Sequence, residues 1–198
     1  MGNSGCLYAD SVEQIRGALH FAGKEQLEGV VIVGGSDAWR VADELKDAGA
    51  SVILGPVNGL PSRRWEAFDT AYVAAGKLHA AGIPFCIAQY GSSFRTANTR
   101  NLPYEAARAV AHGLPKEIAL RAVTLFPAQI LGLGDRLGSL EEGKEATFFI
   151  SDGDPLEVMT TIEAAYIAGR KIDLSSKQTR LFEKYREKYR QLGEEVDE

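Results

Sequence analysis

The chain has 198 residues, 45% hydrophobic and 25% charged, a globular composition that supports one or two domains with cores of their own. Its net charge of −5 argues against non-specific binding to nucleic acid or to an anionic membrane surface. No run reaches the ~18 apolar residues of a membrane helix, and Met1-Gly2-Asn3-Ser4-Gly5 lacks the basic-then-apolar order of a signal peptide, so neither is expected and the compartment stays open.

Up to about residue 115 short apolar runs alternate with helical stretches. Strands are expected over 6–9, 30–33, 52–54 and 85–88, with helices over 11–23, 37–48 and 69–81 between them. Ser11, Ser36 or Asp37, and Asp69 stand where N-caps belong, and Gly49 and Gly82 where helices stop. Strands alternating with helices of about a dozen residues imply βαβ units and a parallel sheet, and near-continuous apolar strands imply that both faces of it are covered. Cys6 and Cys86 fit no metal-ligand spacing and are expected to be buried free thiols.

Two further helices are expected over 104–112 and 116–124, the second ending before Pro127. Beyond about 132 the pattern changes to short strands and tight turns: a strand over 146–150, a turn at Asp152-Gly153-Asp154-Pro155, and a hairpin around Gly169. Gly132, Gly134 and Gly138 follow a helix, not a strand, and lack the spacing of a phosphate loop. A charged helix over 175–190 carries a narrow apolar stripe of Leu181, Tyr185 and Tyr189, enough to lie on a surface, and the acidic end, 194–198, is expected to be disordered. His20 and His79 fall inside helices and His112 at a helix end, where its charge would favour the dipole; none is expected to bind metal.

The order of elements from Leu120 to Asp173 is that of a barrel helix, a break, Gly132-Leu133-Gly134-Asp135-Arg136-Leu137-Gly138, a strand and a hairpin. It resembles the carboxy-terminal end of the amidohydrolase superfamily, metal-dependent hydrolases of non-peptide C–N bonds that include imidazolonepropionase-like enzymes. The resemblance covers nearly the whole chain and implies an α/β fold: the second half of a TIM-like (β/α)8 barrel, a small β segment of the composite β-sandwich, and a C-terminal surface helix. The implied parts are 1–132 for the last four βα units, 133–174 for the sandwich return, and 175–198 for the helix and acidic tail. Half a barrel leaves two open edges, so the implied partner is the complementary N-terminal half or a second copy, with a small-molecule ligand and neither nucleic acid nor membrane.

In that family zinc or another divalent metal lowers the pKa of bound water to about 7. The implied ligands within this span are one His each on the fifth and sixth barrel strands and an Asp on the eighth. The fifth-strand pattern Val-His-Ala-Asp reads here Leu7-Tyr8-Ala9-Asp10, the sixth-strand His-Gly reads Gly34-Gly35, and the eighth strand carries Gln89 or Tyr90, depending on a one-residue shift. Tyr and Gly-Gly at these places resemble a divergent branch of amidohydrolase-related bacterial proteins. No catalytic residue, metal ligand or cofactor is therefore expected in this chain itself. The alternative to an amidohydrolase C-terminal portion is a non-catalytic binding or scaffold protein that keeps the barrel pocket. Candidate pocket residues, all implied by the barrel geometry, are Tyr8, Gly34, Gln89, Tyr90, Arg95, Arg100 and Asn101.

Overall fold

A computed structural model describes residues 4–193; the acidic stretch 194–198 lies outside the described residues. Four strands, β1 (Ser4–Ala9), β2 (Gly29–Gly34), β3 (Ser51–Leu54) and β4 (Phe85–Ile87), form one parallel sheet in chain order. Between them run α1 (Val12–Lys24), a 3-10 turn at Ala38–Val41 leading into α2 (Ala42–Asp47), and α3 (Thr70–Ala80). The sheet forms because the apolar runs are short and β-branched, while the stretches between them bury one stripe each: Ile15 from α1, Leu45 from α2, Ala74 and Leu78 from α3. Ile15, Ile32, Leu45 and Leu78 are fully buried, each contributing about 1.5–3 kcal/mol of apolar burial.

The two faces of this sheet are not alike. Val30, Ile32, Val52 and Leu54 point toward the helices and are buried. Their neighbours Val31, Val33 and Ile53 lie only half-buried on the other face, and Tyr8, in register with Val33, is 67% exposed. The expectation of a sheet covered on both faces is therefore corrected for β1–β3, where helices cover one face; at β4 both faces are covered, and Cys86, in register with Ile53, is buried. The expectation that Cys6 is buried is corrected for the same reason, since it lies on the uncovered face of edge strand β1 and is exposed. Cys86 is buried, and burial pushes its thiol up to about 12.

Ser11 caps α1 as expected: its Oγ accepts the Gln14 N–H at 3.3 Å while Gln14 Oε1 accepts the Ser11 N–H at 3.1 Å. Ser11→Ala is expected to lower stability by about 1 kcal/mol in urea unfolding. Asp37 and Asp69 precede helical turns but make no side-chain cap. Asp37 is held instead by two arginines, described below.

After β4 come α4 (Ser93–Ala97), which is not among the helices expected from sequence, a 3-10 turn at Thr99–Asn101, α5 (Leu102–Ala111) and α6 (Lys116–Ala122). Helix α6 ends before Pro127 as expected, and Pro127 itself sits third in a further short helix, α7 (Leu125–Ile130). In a first helical turn the missing N–H has no intrahelical partner to lose. Phe126 of α7 meets Phe85 of β4 edge-on at 6.2 Å, which seats this helix against the last strand.

A second, antiparallel sheet is made of β5 (Phe148–Ser151), β6 (Ile162–Ile167) and β7 (Arg170–Lys171). The two-residue turn Ala168-Gly169 joins β6 to β7 with φ of 49° and 76°, the left-handed pair that matches strand twist. Asp152 and Asp154 serve turn chemistry: Asp152 accepts the Thr161 N–H at 2.8 Å and Asp154 the Leu156 N–H at 3.1 Å. This turn is fastened to the first layer by buried Leu156 and by the Lys116–Asp154 ion pair. Helix α8 (Lys177–Gln191) is capped by Ser176 and Thr179, but none of its residues is buried, so its apolar stripe of Leu181, Tyr185 and Tyr189 meets no covering surface among the described residues.

Candidate functional site

Each parallel strand is followed by a small or polar residue, Asp10, Gly35, Gly55 and Ala88, because there the chain must turn from a covered core into a loop. These ends converge on a cleft of about 560 Å³. Tyr8 and Asp10 enter it from β1, Gly34 and Asp37 from β2, Gly55 from β3, and Tyr90 and Arg95 from the segment after β4. Such a place, at the carboxyl ends of parallel strands, is where ligands bind in α/β architectures.

The floor is shaped by two close approaches. Gly34 has φ of 114°, and a Cβ there would lie 2.6 Å from Asp10 Oδ1 and 2.9 Å from the Ala9 carbonyl oxygen. The Asp10 carboxylate thus occupies the room that a side chain at 34 would need. A Cβ at Gly55 would lie 2.6 Å from the Tyr90 hydroxyl, so that phenol packs directly over backbone. Tyr8 and Tyr90 meet edge-to-face at 6.0 Å. The charge of Asp10 raises the Tyr8 pKa above the ordinary phenol value, with Arg95 opposing it. Burial, then Asp10, raises that of Tyr90 further. Both phenols are protonated at neutral pH.

One wall is a buried ionic cluster. Arg63 donates from Nη2 to Asp37 Oδ2 at 2.6 Å and from Nη1 to Glu66 Oε1 at 2.7 Å, while Arg40 Nε reaches Asp37 Oδ1 at 3.1 Å. The Asp37 and Glu66 side chains are only 5% and 2% exposed. Burial pulls both carboxyl pKa values up, but hydrogen bonds and charge from Arg63, joined by Arg40 at Asp37, outweigh it and hold them below the usual range. Lys77 Nζ lies 3.5 Å above the Trp39 ring and the Arg40 guanidinium 4.2 Å from it, so the cations around this wall also have aromatic faces against them.

Of the candidate residues, Tyr8, Gly34, Tyr90 and Arg95 come together in the cleft. Gln89 turns elsewhere: its Nε2 donates to Glu105 Oε1 at 2.6 Å, and Glu105, buried in α5, accepts the Asn58 N–H at 2.7 Å. Gln89 thus ties the end of β4 to the loop after β3 and to α5. Arg100, exposed, and Asn101, half-buried, lie on the 3-10 turn beyond the cleft-lining residues. Asn101 precedes α5 without a side-chain cap. The histidines stand away from the strand ends; His112 closes α5, its Nδ1 2.9 Å from the Arg108 carbonyl oxygen, and packs on Tyr72. Sequence reasoning missed Asp10, Asp37, Glu66 and Gly55 as cleft residues. Asp10 directly follows a strand and carried a signal; Glu66 sits in a loop without periodicity and carried none. Among the described residues no three His, Cys, Asp or Glu side chains are grouped as a metal site.

The model of a family described as "Amidohydrolase family" matches residues 29–176. The chain is 36% identical over 110 residues to an imidazolonepropionase of Syntrophobacter fumaroxidans, covering 55% of this chain and 24% of that enzyme. It is 38% identical over 80 residues to amidohydrolase tasK of Hapsidospora irregularis, 40% of this chain and 8% of that one. Among solved structures, an amidohydrolase from Thermotoga maritima MSB8 superimposes with a TM-score of 0.74 at 25% identity, over 86% of this chain and 43% of that chain. A zinc-bound adenosine deaminase from Xanthomonas campestris shares the fold, with a TM-score of 0.60 at 20% identity over 95% of this chain and 51% of that chain. The chain thus spans about half or less of the length of each of these four proteins.

Proposed function

Because this chain belongs to the amidohydrolase family, we propose that it forms the last four βα units of a TIM-like (β/α)8 barrel with part of the adjoining β-sandwich, and that its strand ends bind a polar small molecule without a metal of their own. The observation that carries the first half is the asymmetry of the parallel sheet. Along β1–β3 helices bury Val30, Ile32, Val52 and Leu54, while Val31, Val33 and Ile53 on the opposite face remain half open, and among the described residues β1 and β4 are both edges. Apolar faces and unpaired edges of this kind associate. The partner is a complementary N-terminal half; a second copy of this chain is the other way to close the sheet.

The donors at the strand ends support the second half of the proposal. A divalent metal at these sites would take deprotonated or neutral-nitrogen ligands and would supply hydroxide for hydrolysis of a non-peptide C–N bond, the chemistry of the family. Position 34 accepts no side chain in this backbone, because Asp10 and the Ala9 carbonyl already fill the space. Tyr8 and Tyr90 hold their protons, and Gln89 is committed to Glu105. These residues do not fit the metal. The chain's own groups instead offer hydrogen bonds and opposite charges around a cleft, which favours the reading of a non-catalytic pocket for this part of the protein.

The purified chain is expected to carry no stoichiometric zinc, iron or manganese and to sediment as a dimer or larger species at micromolar concentration. About one tightly held metal per chain in elemental analysis would overturn the metal-free site. A stable monomer that unfolds cooperatively would overturn the half-barrel assignment.

A further inference from the structure

Two opposite charges face the cleft without an ion-pair partner. The wall carboxylates, Asp37 and Glu66, are already neutralised by Arg63 and Arg40. Asp10 and Arg95 are not: among the described residues neither takes part in any ion pair. They line the same cavity and do not neutralise each other.

Asp10 is held rigidly. Its N–H donates to Gln14 Oε1 at 2.9 Å, and its carbonyl oxygen accepts the Asp37 N–H at 3.0 Å and the Ser36 hydroxyl at 3.2 Å. The carboxylate is seated over Gly34, where no side chain at 34 can displace it. Arg95 lies on α4, whose first turn is pinned by the Ser92 hydroxyl accepting the Arg95 N–H at 3.2 Å, and its long side chain is exposed at the cleft. Tyr8 and Tyr90 stand in the fields of both groups, since Asp10 raises and Arg95 lowers the pKa of each phenol. The arrangement is a fixed anion, an exposed guanidinium and two protonated phenols, around a volume of about 560 Å³ that lies within the range of small-molecule sites.

We propose that this cleft binds a small zwitterion of the α-amino acid type, its carboxylate on Arg95 and its ammonium on Asp10, with the Tyr8 and Tyr90 phenols contributing hydrogen bonds between them. A singly charged ligand would leave one of the two cleft charges unmatched, whereas a zwitterion satisfies both with charge-assisted hydrogen bonds. The inference rests on reading the cleft as a metal-free binding site.

The test is calorimetric titration of the full chain with free L-amino acids, with their carboxamides, which lack the carboxylate, and with their N-acetyl derivatives, which lack the ammonium. In chelator-treated protein at least one free amino acid is expected to bind, and its two derivatives to bind about ten- to a hundredfold more weakly. Arg95→Ala is expected to abolish the preference over the carboxamide, and Asp10→Asn the preference over the N-acetyl form. The wild-type comparison stands whether or not a variant folds. Carboxamide and N-acetyl forms that bind as tightly as the free amino acid would overturn the proposal, as would variants that fold and keep the full discrimination. No binding with or without added zinc would overturn the ligand class alone. Binding that appears only with zinc would overturn the metal-free reading beneath it.

Discussion

Arg63→Ala is expected to lower the free energy of unfolding by about 2–4 kcal/mol, measured by urea unfolding at neutral pH. Removing the guanidinium leaves Asp37 and Glu66 buried and short of their main partner, with Arg40 alone in reach. The value lies below the full cost of breaking a buried pair because a third of the Arg63 side chain remains in water (32% exposed). The pH dependence has a definite sign. Both carboxyl pKa values are depressed in the folded protein, so their stabilisation is fully present above the unfolded values near 4 and is lost as pH falls through the folded ones. In Arg63→Ala those depressions shrink, so the stability gap between wild type and variant narrows as the solution is made acidic below about pH 4. A gap that stays constant down to pH 2 would show that Arg63 acts through packing and not through charge.

The second large effect is expected from Gly34→Ala, at about 2–6 kcal/mol by thermal or urea unfolding. Two costs combine. At φ of 114° an L side chain is strained by about 1–3 kcal/mol. The new methyl also lies within 3 Å of Asp10 Oδ1 and the Ala9 carbonyl, an overpacking of about 1–3 kcal/mol unless the strand end moves. If it moves, the Asp10 carboxylate leaves its seat and the cleft loses its fixed anion. Gly17→Ala is the matched control: a Cβ there meets nothing within 4 Å, and in the interior of α1 alanine is the better helix former. A Gly34→Ala protein as stable as wild type would mean that the strand end is softer than its contacts imply.

The four parallel strands and the helices between them were legible in the sequence because each is signalled locally. A β-branched run such as Val30-Val31-Ile32-Val33 and a capped amphipathic stretch such as that opened by Ser11 carry their own period. The Ala168-Gly169 hairpin and the Asp152–Asp154 turn were legible for the same reason, since turn chemistry lies within a few residues. Tyr8 and Gly34 could be placed at strand ends because a strand's last residues follow from its run. What each strand-end residue does depends on neighbours far along the chain. Asp37 reads as an N-cap until Arg63, 26 residues on, folds back to claim it. Gln89 reads as a pocket residue until Glu105 takes its amide. The uncovered face that exposes Cys6, the room Asp10 takes from position 34, and the free charges of Asp10 and Arg95 were decided only when four strand ends met in space. Secondary structure is written in short-range periodicity, whereas charge pairing and close approach are set by contacts between distant segments that no local pattern records.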